Sequence, residues 1–201
     1  MKVKRIFIGI LAVVMMLSLA ACSSGPKMSE EEIKDACSKE AENYVGGYLS
    51  NSSANFLKKY DNDPEELLGR YKLSFHYDFY TNSDVADMVC DYIIEHATFE
   101  VNPYSFYMNE DANRVEMAVN VTIIPPSAAK NQIEDILKHT YVGDGDDAAR
   151  NDLYNQAISI ISGIQPVTAS IPIELAYGDG EWMIQNYWMV MKHINEAGSP
   201  E

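Results

Sequence analysis

Val167-Thr168-Ala169-Ser170-Ile171-Pro172-Ile173-Glu174-Leu175-Ala176-Tyr177, the turn Gly178-Asp179-Gly180 and the returning stretch from Trp182 to Met191 decide the fold. Val167, Ala169, Ile171, Ile173, Leu175 and Tyr177 occupy every second position, the period of a strand with one buried face. The glycine-flanked turn predicts a hairpin, with 182–191 as its second strand. Pro172 has no N–H to give to a ladder, so this strand should have an unpaired side there. Both faces of the returning stretch carry large groups. Trp182, Ile184, Trp188 and Val190 would lie on one, and Met183, Tyr187, Met189 and Met191 on the other.

A second hairpin precedes it. Val115, Met117, Val119, Val121 and Ile123 alternate with Glu116, Ala118, Asn120 and Thr122. The turn-rich Asn109–Asn113 leads back to Phe106, Tyr104, Val101 and Phe99, a strand predicted to kink at Asn102-Pro103. Pro125-Pro126 ends the pair.

Helices surround these strands. Ser29-Glu30-Glu31-Glu32 is a capping box, and its glutamates suit the positive end of a helix dipole. Ile33, Cys37, Ala41, Tyr44 and Tyr48 then recur at helical spacing to about Leu49. A helical turn or two is expected over 54–60. Asp63-Pro64 starts a second helix, with Asp as cap and Pro at the first position. Its far end is ambiguous, because Leu73, Phe75, Tyr77 and Phe79 also alternate. Ser83 should cap a helix over 84–96. Two more are expected within 128–164, one with Ile133, Ile136, Leu137 and Tyr141 on one face, the other with Leu153, Ala157, Ile160, Ile161 and Ile164. Helices, hairpin, helices, hairpin is an α+β order, with antiparallel strands packed on helices. The domain is expected over 29–194, with 195–201 as a tail.

This order, from about residue 30 to 193, resembles the NTF2-like (cystatin-like) architecture. The resemblance implies a curved sheet wrapped on a long helix, enclosing a conical pocket. The helices within 128–164 depart from it, since that superfamily has a shorter connection there.

At the other end of the chain, Lys2, Lys4 and Arg5 precede an uncharged apolar run from Ile6 to Ala21. Positive head, apolar core and small residues are the layout of a secretory signal. Leu19-Ala20-Ala21-Cys22 resembles the lipobox of bacterial lipoproteins. The resemblance implies that residues 1–21 are removed and that Cys22 is acylated on sulfur. Residues 22–28 would then be the lipidated cysteine and its tether. The protein would sit on the extracytoplasmic face of the cell membrane, as in the small lipoproteins of Gram-positive bacteria that the chain is similar to.

The formal charge is −15, and removing residues 1–21 leaves 12 Lys plus Arg against 30 Asp plus Glu, a net −18. That charge argues against nucleic acid, which needs a basic face. Of the cysteines beyond Cys22, Cys37 and Cys90 fall on apolar helix faces. They can pair in an oxidising compartment or pack as free small hydrophobes.

No Cys-x-x-Cys, His-Glu-x-x-His, Gly-x-Ser-x-Gly or phosphate-binding loop occurs. His76, His96, His139 and His193 scatter over four elements. Asp61-Asn62-Asp63 and Asp144-Gly145-Asp146-Asp147 lack EF-hand spacing and read as caps and loop. Neither metal nor cofactor is expected. The aromatic density around the hairpins, Tyr104, Phe106, Tyr107, Trp182, Tyr187 and Trp188, marks the candidate ligand or partner surface. The expectation is a binding or accessory domain without catalysis, held to the membrane through Cys22 and engaging a small ligand or an envelope protein. Two alternatives stand beside it. One is an NTF2-like isomerase or hydrolase using a carboxylate and a tyrosine on a small apolar substrate. The other is an assembly partner of a membrane complex.

Overall fold

The computed structural model describes residues 25–50, 53–143 and 145–199. Cys22 and the rest of the signal and lipobox stretch lie outside them. Six α-helices and a five-stranded antiparallel sheet are present among the described residues.

The Ser29–Glu32 capping box forms as predicted. Ser29 Oγ accepts from Glu32 N and Glu32 Oε2 from Ser29 N, starting α1 (Glu30–Leu49). A 3-10 turn follows at Ala54–Leu57, then α2 (Pro64–Tyr71), opened by Asp63 Oδ1 accepting from Glu66 N at 3.1 Å. Beyond Tyr71 the alternation of Leu73, Phe75 and Phe79 makes no strand. These residues are buried by an irregular segment that ends in a 3-10 turn at Tyr80–Asn82.

Helix α3 (Ser83–Glu95) is flanked by Asn82, not capped by Ser83, and it carries Val85, Val89, Cys90 and Ile93 into the core. Next come β1 (Thr98–Val101) and β2 (Tyr107–Met108), both paired to β3 (Arg114–Ile123). They are the two halves of the kinked strand. Between them, Asn102 N donates to Ala118 O and Ala118 N to Ser105 Oγ, so the bulge stays hydrogen-bonded. Pro126 opens α4 (Pro126–His139), followed by α5 (Asp147–Ile161), whose first turn is capped by Asp146.

The second hairpin is β4 (Val167–Gly178) and β5 (Glu181–Ile184). Its two-residue loop, Asp179-Gly180, has φ of 54° and 90°, the left-handed pair that matches strand twist. The sheet order is β1-β3-β4-β5, with β2 beside β1's edge of β3, and the sheet is curled. Val115 opposes Leu175, Met117 opposes Ile173 and Val119 opposes Ile171, all buried on the helix-covered face. The other face is polar, with Thr122 and Thr168 hydroxyls 2.8 Å apart.

The returning strand stops well short of Met191. After Ile184 the chain turns, and Tyr187–Asn195 is a helix, α6. Asn186 explains the stop. Its Nδ2 donates to Pro172 O at 3.0 Å, and its Oδ1 accepts from Glu174 N at 3.0 Å. One side chain thus replaces the ladder on the edge where Pro172 has no proton to give. Val190, Met191 and Ile194 then pack at helical spacing. Packing also runs into the expected tail, for Ala197 is buried. Gly198 has φ 74°, and a Cβ there would lie 2.9 Å from Pro125 Cβ.

Cys37 and Cys90 are free and buried, so the considered bridge does not form. Each fills core space as a small apolar group. Burial, with the Glu40 charge adding to it, pushes the Cys37 thiol up to about 12. Burial raises Cys90 as well.

Candidate functional site

Spacing on α1 builds one wall of the site. Glu40, Tyr44 and Tyr48 fall four residues apart and therefore stack along one helix face. The segment after α1 folds back over that face. Gly47 makes this possible, because a Cβ there would come within 2.5 Å of Phe56 Cβ. Phe56 and Tyr60 then meet Tyr44 edge-on, with ring centroids 5.3 and 5.2 Å away. From the C-terminal half, Tyr187 lies 5.5 Å from the Tyr60 ring, and its carbonyl accepts from Tyr44 Oη at 2.7 Å.

At the centre is an ion pair. Lys59 Nζ sits 2.6 Å from Glu40 Oε1 and 3.6 Å from Glu181 Oε2. It also donates to the Trp182 carbonyl at 3.4 Å and lies 5.3 Å from the Tyr60 ring centroid. Tyr60 donates its hydroxyl to the same Glu40 oxygen. One ammonium is thereby held by two carboxylates, a carbonyl and an aromatic face, a full set of partners for a cation.

A cleft opens on each side of this pair. The first, about 320 Å³, is lined by Asn43, Asn55, Phe56 and Lys58 beside Tyr44 and Tyr60. The second, about 220 Å³, runs past Met28, Ala36, Tyr177, Gly180 and Trp182. Glu40 and Lys59 line both. Trp182 is 5% exposed, and its Nε1 has no acceptor among the described residues. Aromatic walls beside a few convergent polar groups are the usual makings of a small-ligand site.

The expected aromatic surface is divided. Trp182 lines the second cleft and Tyr187 backs the first, while Trp188 lies 5.8 Å from Tyr71 on the exposed side of α6. Tyr104, Phe106 and Tyr107 belong to the other edge of the sheet, beyond β3 and β4. Tyr104 is 96% and Tyr107 64% exposed, and Phe106 lies under Lys34 Nζ, 6.0 Å from its ring centroid. Aromatic density around the hairpins marks these residues in the sequence, but the sheet order puts the two hairpins' aromatic residues at opposite edges. The stop of β5 at Ile184 puts Tyr187 and Trp188 on a helix. Glu40, Lys59 and Tyr60 were missed. Their signal was the Glu40-Tyr44-Tyr48 spacing and the Lys58-Lys59 pair, adjacent cations in an acidic chain.

The histidines lie apart from the clefts. His76 Nδ1 is 3.2 Å from Asp87, and His96 stacks on Tyr92 at 3.9 Å. No helix among the described residues is long and apolar enough to cross a membrane.

No protein-family model matches the chain, and no curated protein matches it. Among solved structures it is similar to a "putative lipoprotein (ycdA)" from Bacillus subtilis, with 14% identity and a TM-score of 0.39. The match takes in 80% of this chain and 55% of that one, so the chain spans little more than half the other's length. At that distance the likeness says nothing of function.

Proposed function

We propose that this chain is a lipid-anchored, extracytoplasmic binding domain whose ligand occupies the paired clefts around Glu40 and Lys59. The observation that carries the binding role is the shared ion pair, which places charge and aromatic faces together between two openings. The anchor rests on Leu19-Ala20-Ala21-Cys22 and the positively headed apolar run before it. The ligand is a small molecule or a segment of an envelope protein, with an apolar part for Phe56 and Trp182 and a polar group for Lys59 or Glu40.

Thermal shift across small amphiphiles, peptides and wall fragments tests this. Hits should be lost in Lys59→Met and in Phe56→Ala while His76→Gln, away from the clefts, keeps them. Hits insensitive to Lys59 and Phe56 would move the site elsewhere. Intact-mass analysis of protein from native cells should find a chain starting at an acylated Cys22.

A second reading, an NTF2-like isomerase or hydrolase, is favoured by one observation: Glu40 and Tyr60 form a carboxylate–tyrosine pair in the cleft. Lys59 and Tyr60 both engage Oε1, which ties the carboxylate into the wall. Turnover of a screening hit, abolished by Glu40→Gln, would establish that reading instead.

A further inference from the structure

The first described residues lie against one end of the sheet. A Cβ on Gly25 would come within 2.4 Å of the Asp111 carbonyl oxygen and 3.2 Å of that of Ala112, so the chain enters the fold against the β2–β3 turn. Met28 lines the second cleft with Gly180 and Glu181 of the β4–β5 turn. The two turns are neighbours, since Tyr177 N donates to Asn113 O at 2.9 Å. Three residue steps separate Gly25 from Cys22, at most about 11 Å of extended chain.

We infer that this end of the domain, carrying Gly25, the turns at 109–113 and 178–181 and the exposed Tyr107, faces the bilayer and meets its headgroup layer. The inference rests on the anchor at Cys22 proposed above. So short a connection leaves the attached end no other surface to face. Tyr107 is one residue from the end of β2, next to the Gly25 turn, whereas Tyr104 stands on the bulge bonded to Ala118, halfway along β3. Tyrosine, apolar in its ring and polar at its tip, suits the boundary between hydrocarbon and water.

Charge tunes the contact. Glu30, Glu31, Glu32, Glu110, Asp111, Asp179 and Glu181 are exposed at this end, against Lys27 and Arg114. A zwitterionic surface therefore accepts it, and an anionic one repels it within about a Debye length, roughly 10 Å at 0.1 M salt. The second cleft opens at the same end, so its ligand is met at the membrane surface.

The test places a fluorophore on Asp111→Cys or on Gly163→Cys of the full-length protein, purified from membranes and reconstituted in phosphatidylcholine vesicles with headgroup-attached quencher. Gly163 precedes β4, whose start pairs with Ile123 at the far end of the ten-residue β3, about 30 Å away. The label at 111 should lose emission and the label at 163 should not. Phosphatidylglycerol should weaken the loss at 111, and added salt should restore it. Tyr107→Ser should reduce it while the protein stays vesicle-bound. Equal loss at both positions, or greater loss at 163, overturns the orientation. A mass without acyl groups on the same sample overturns the anchor and the orientation with it, whereas an acylated mass with reversed quenching overturns the orientation alone.

Discussion

Asn82 donates from Nδ2 to the Leu137 carbonyl at 2.7 Å, and to the Thr140 carbonyl at 2.8 Å, from a position 1% exposed. A residue that flanks the start of α3 thereby closes the end of α4, whose last carbonyls have no partner within their own helix. Aromatic residues with a polar tip aside, it is the one buried polar side chain among the described residues.

Replacing Asn82 by Ala removes both bonds and leaves the buried Leu137 carbonyl without its donor. An unsatisfied buried group costs about 1–3 kcal/mol, so Asn82→Ala should lower unfolding free energy by about 1–3 kcal/mol in urea titration. Asn82→Ser, with a short donor, should recover part of the loss.

Two glycine-to-alanine changes should have opposite signs. In an exposed helix alanine is better than glycine by about 1 kcal/mol. Gly69 in α2 has open space around the missing Cβ, so Gly69→Ala should raise the melting temperature. Gly47→Ala drives a methyl into Phe56, and overpacking costs about 1–3 kcal/mol. Its melting temperature should fall, and the cleft that Phe56 lines should deform.

Cys37 and Cys90 should resist alkylation at pH 8 in the native protein and react fully in urea. A thiol held as high as about 12 at Cys37 supplies almost no thiolate. Reducing agent should leave the melting temperature unchanged, and a shift would show that the two sulfurs are bonded.

Alkali should unfold the protein through its buried phenols. Burial raises Tyr44 above its ordinary value of 10, with the Tyr48 and Tyr187 charges adding to it. Burial also raises Tyr48, whose hydroxyl donates to Asn195 Oδ1 at 2.5 Å. The native state then keeps protons that the unfolded chain releases above about pH 10. Stability from these groups is complete below pH 10 and declines as pH rises beyond it. Absorbance at 295 nm should show Tyr44 and Tyr48 ionising together with the loss of circular dichroism. Separate, earlier ionisation of all thirteen tyrosines would contradict it.

Most elements could be read locally because local rules govern them. The Ser29–Glu32 box, the Asp63-Pro64 start and the alternation of Val115–Ile123 each involve residues within a few positions of one another. Reading failed where two periods coincide. Tyr187, Met189 and Met191 alternate like a strand, while Tyr187, Val190, Met191 and Ile194 repeat like a helix. Asn186 chose between them by bonding Pro172 and Glu174, a contact no window around 187 contains. Leu73–Phe79 failed similarly, with strand-like apolar spacing but no neighbouring strand to pair with.

The amino-acid sequence alone determined the α+β class, both hairpin turns, the starts of α1 and α2, and the positively headed run to Cys22, because periodicity and capping are local chemistry. Tertiary structure decided the rest: where β5 stops, that Tyr104 and Trp182 belong to different edges, and that Glu40, Lys59 and Tyr60 converge beside Trp182. Tyr44 meets Tyr187 across 143 residues of chain. Such contacts depend on how finished elements stack, and packing geometry of that range is not written in the spacing of any one segment.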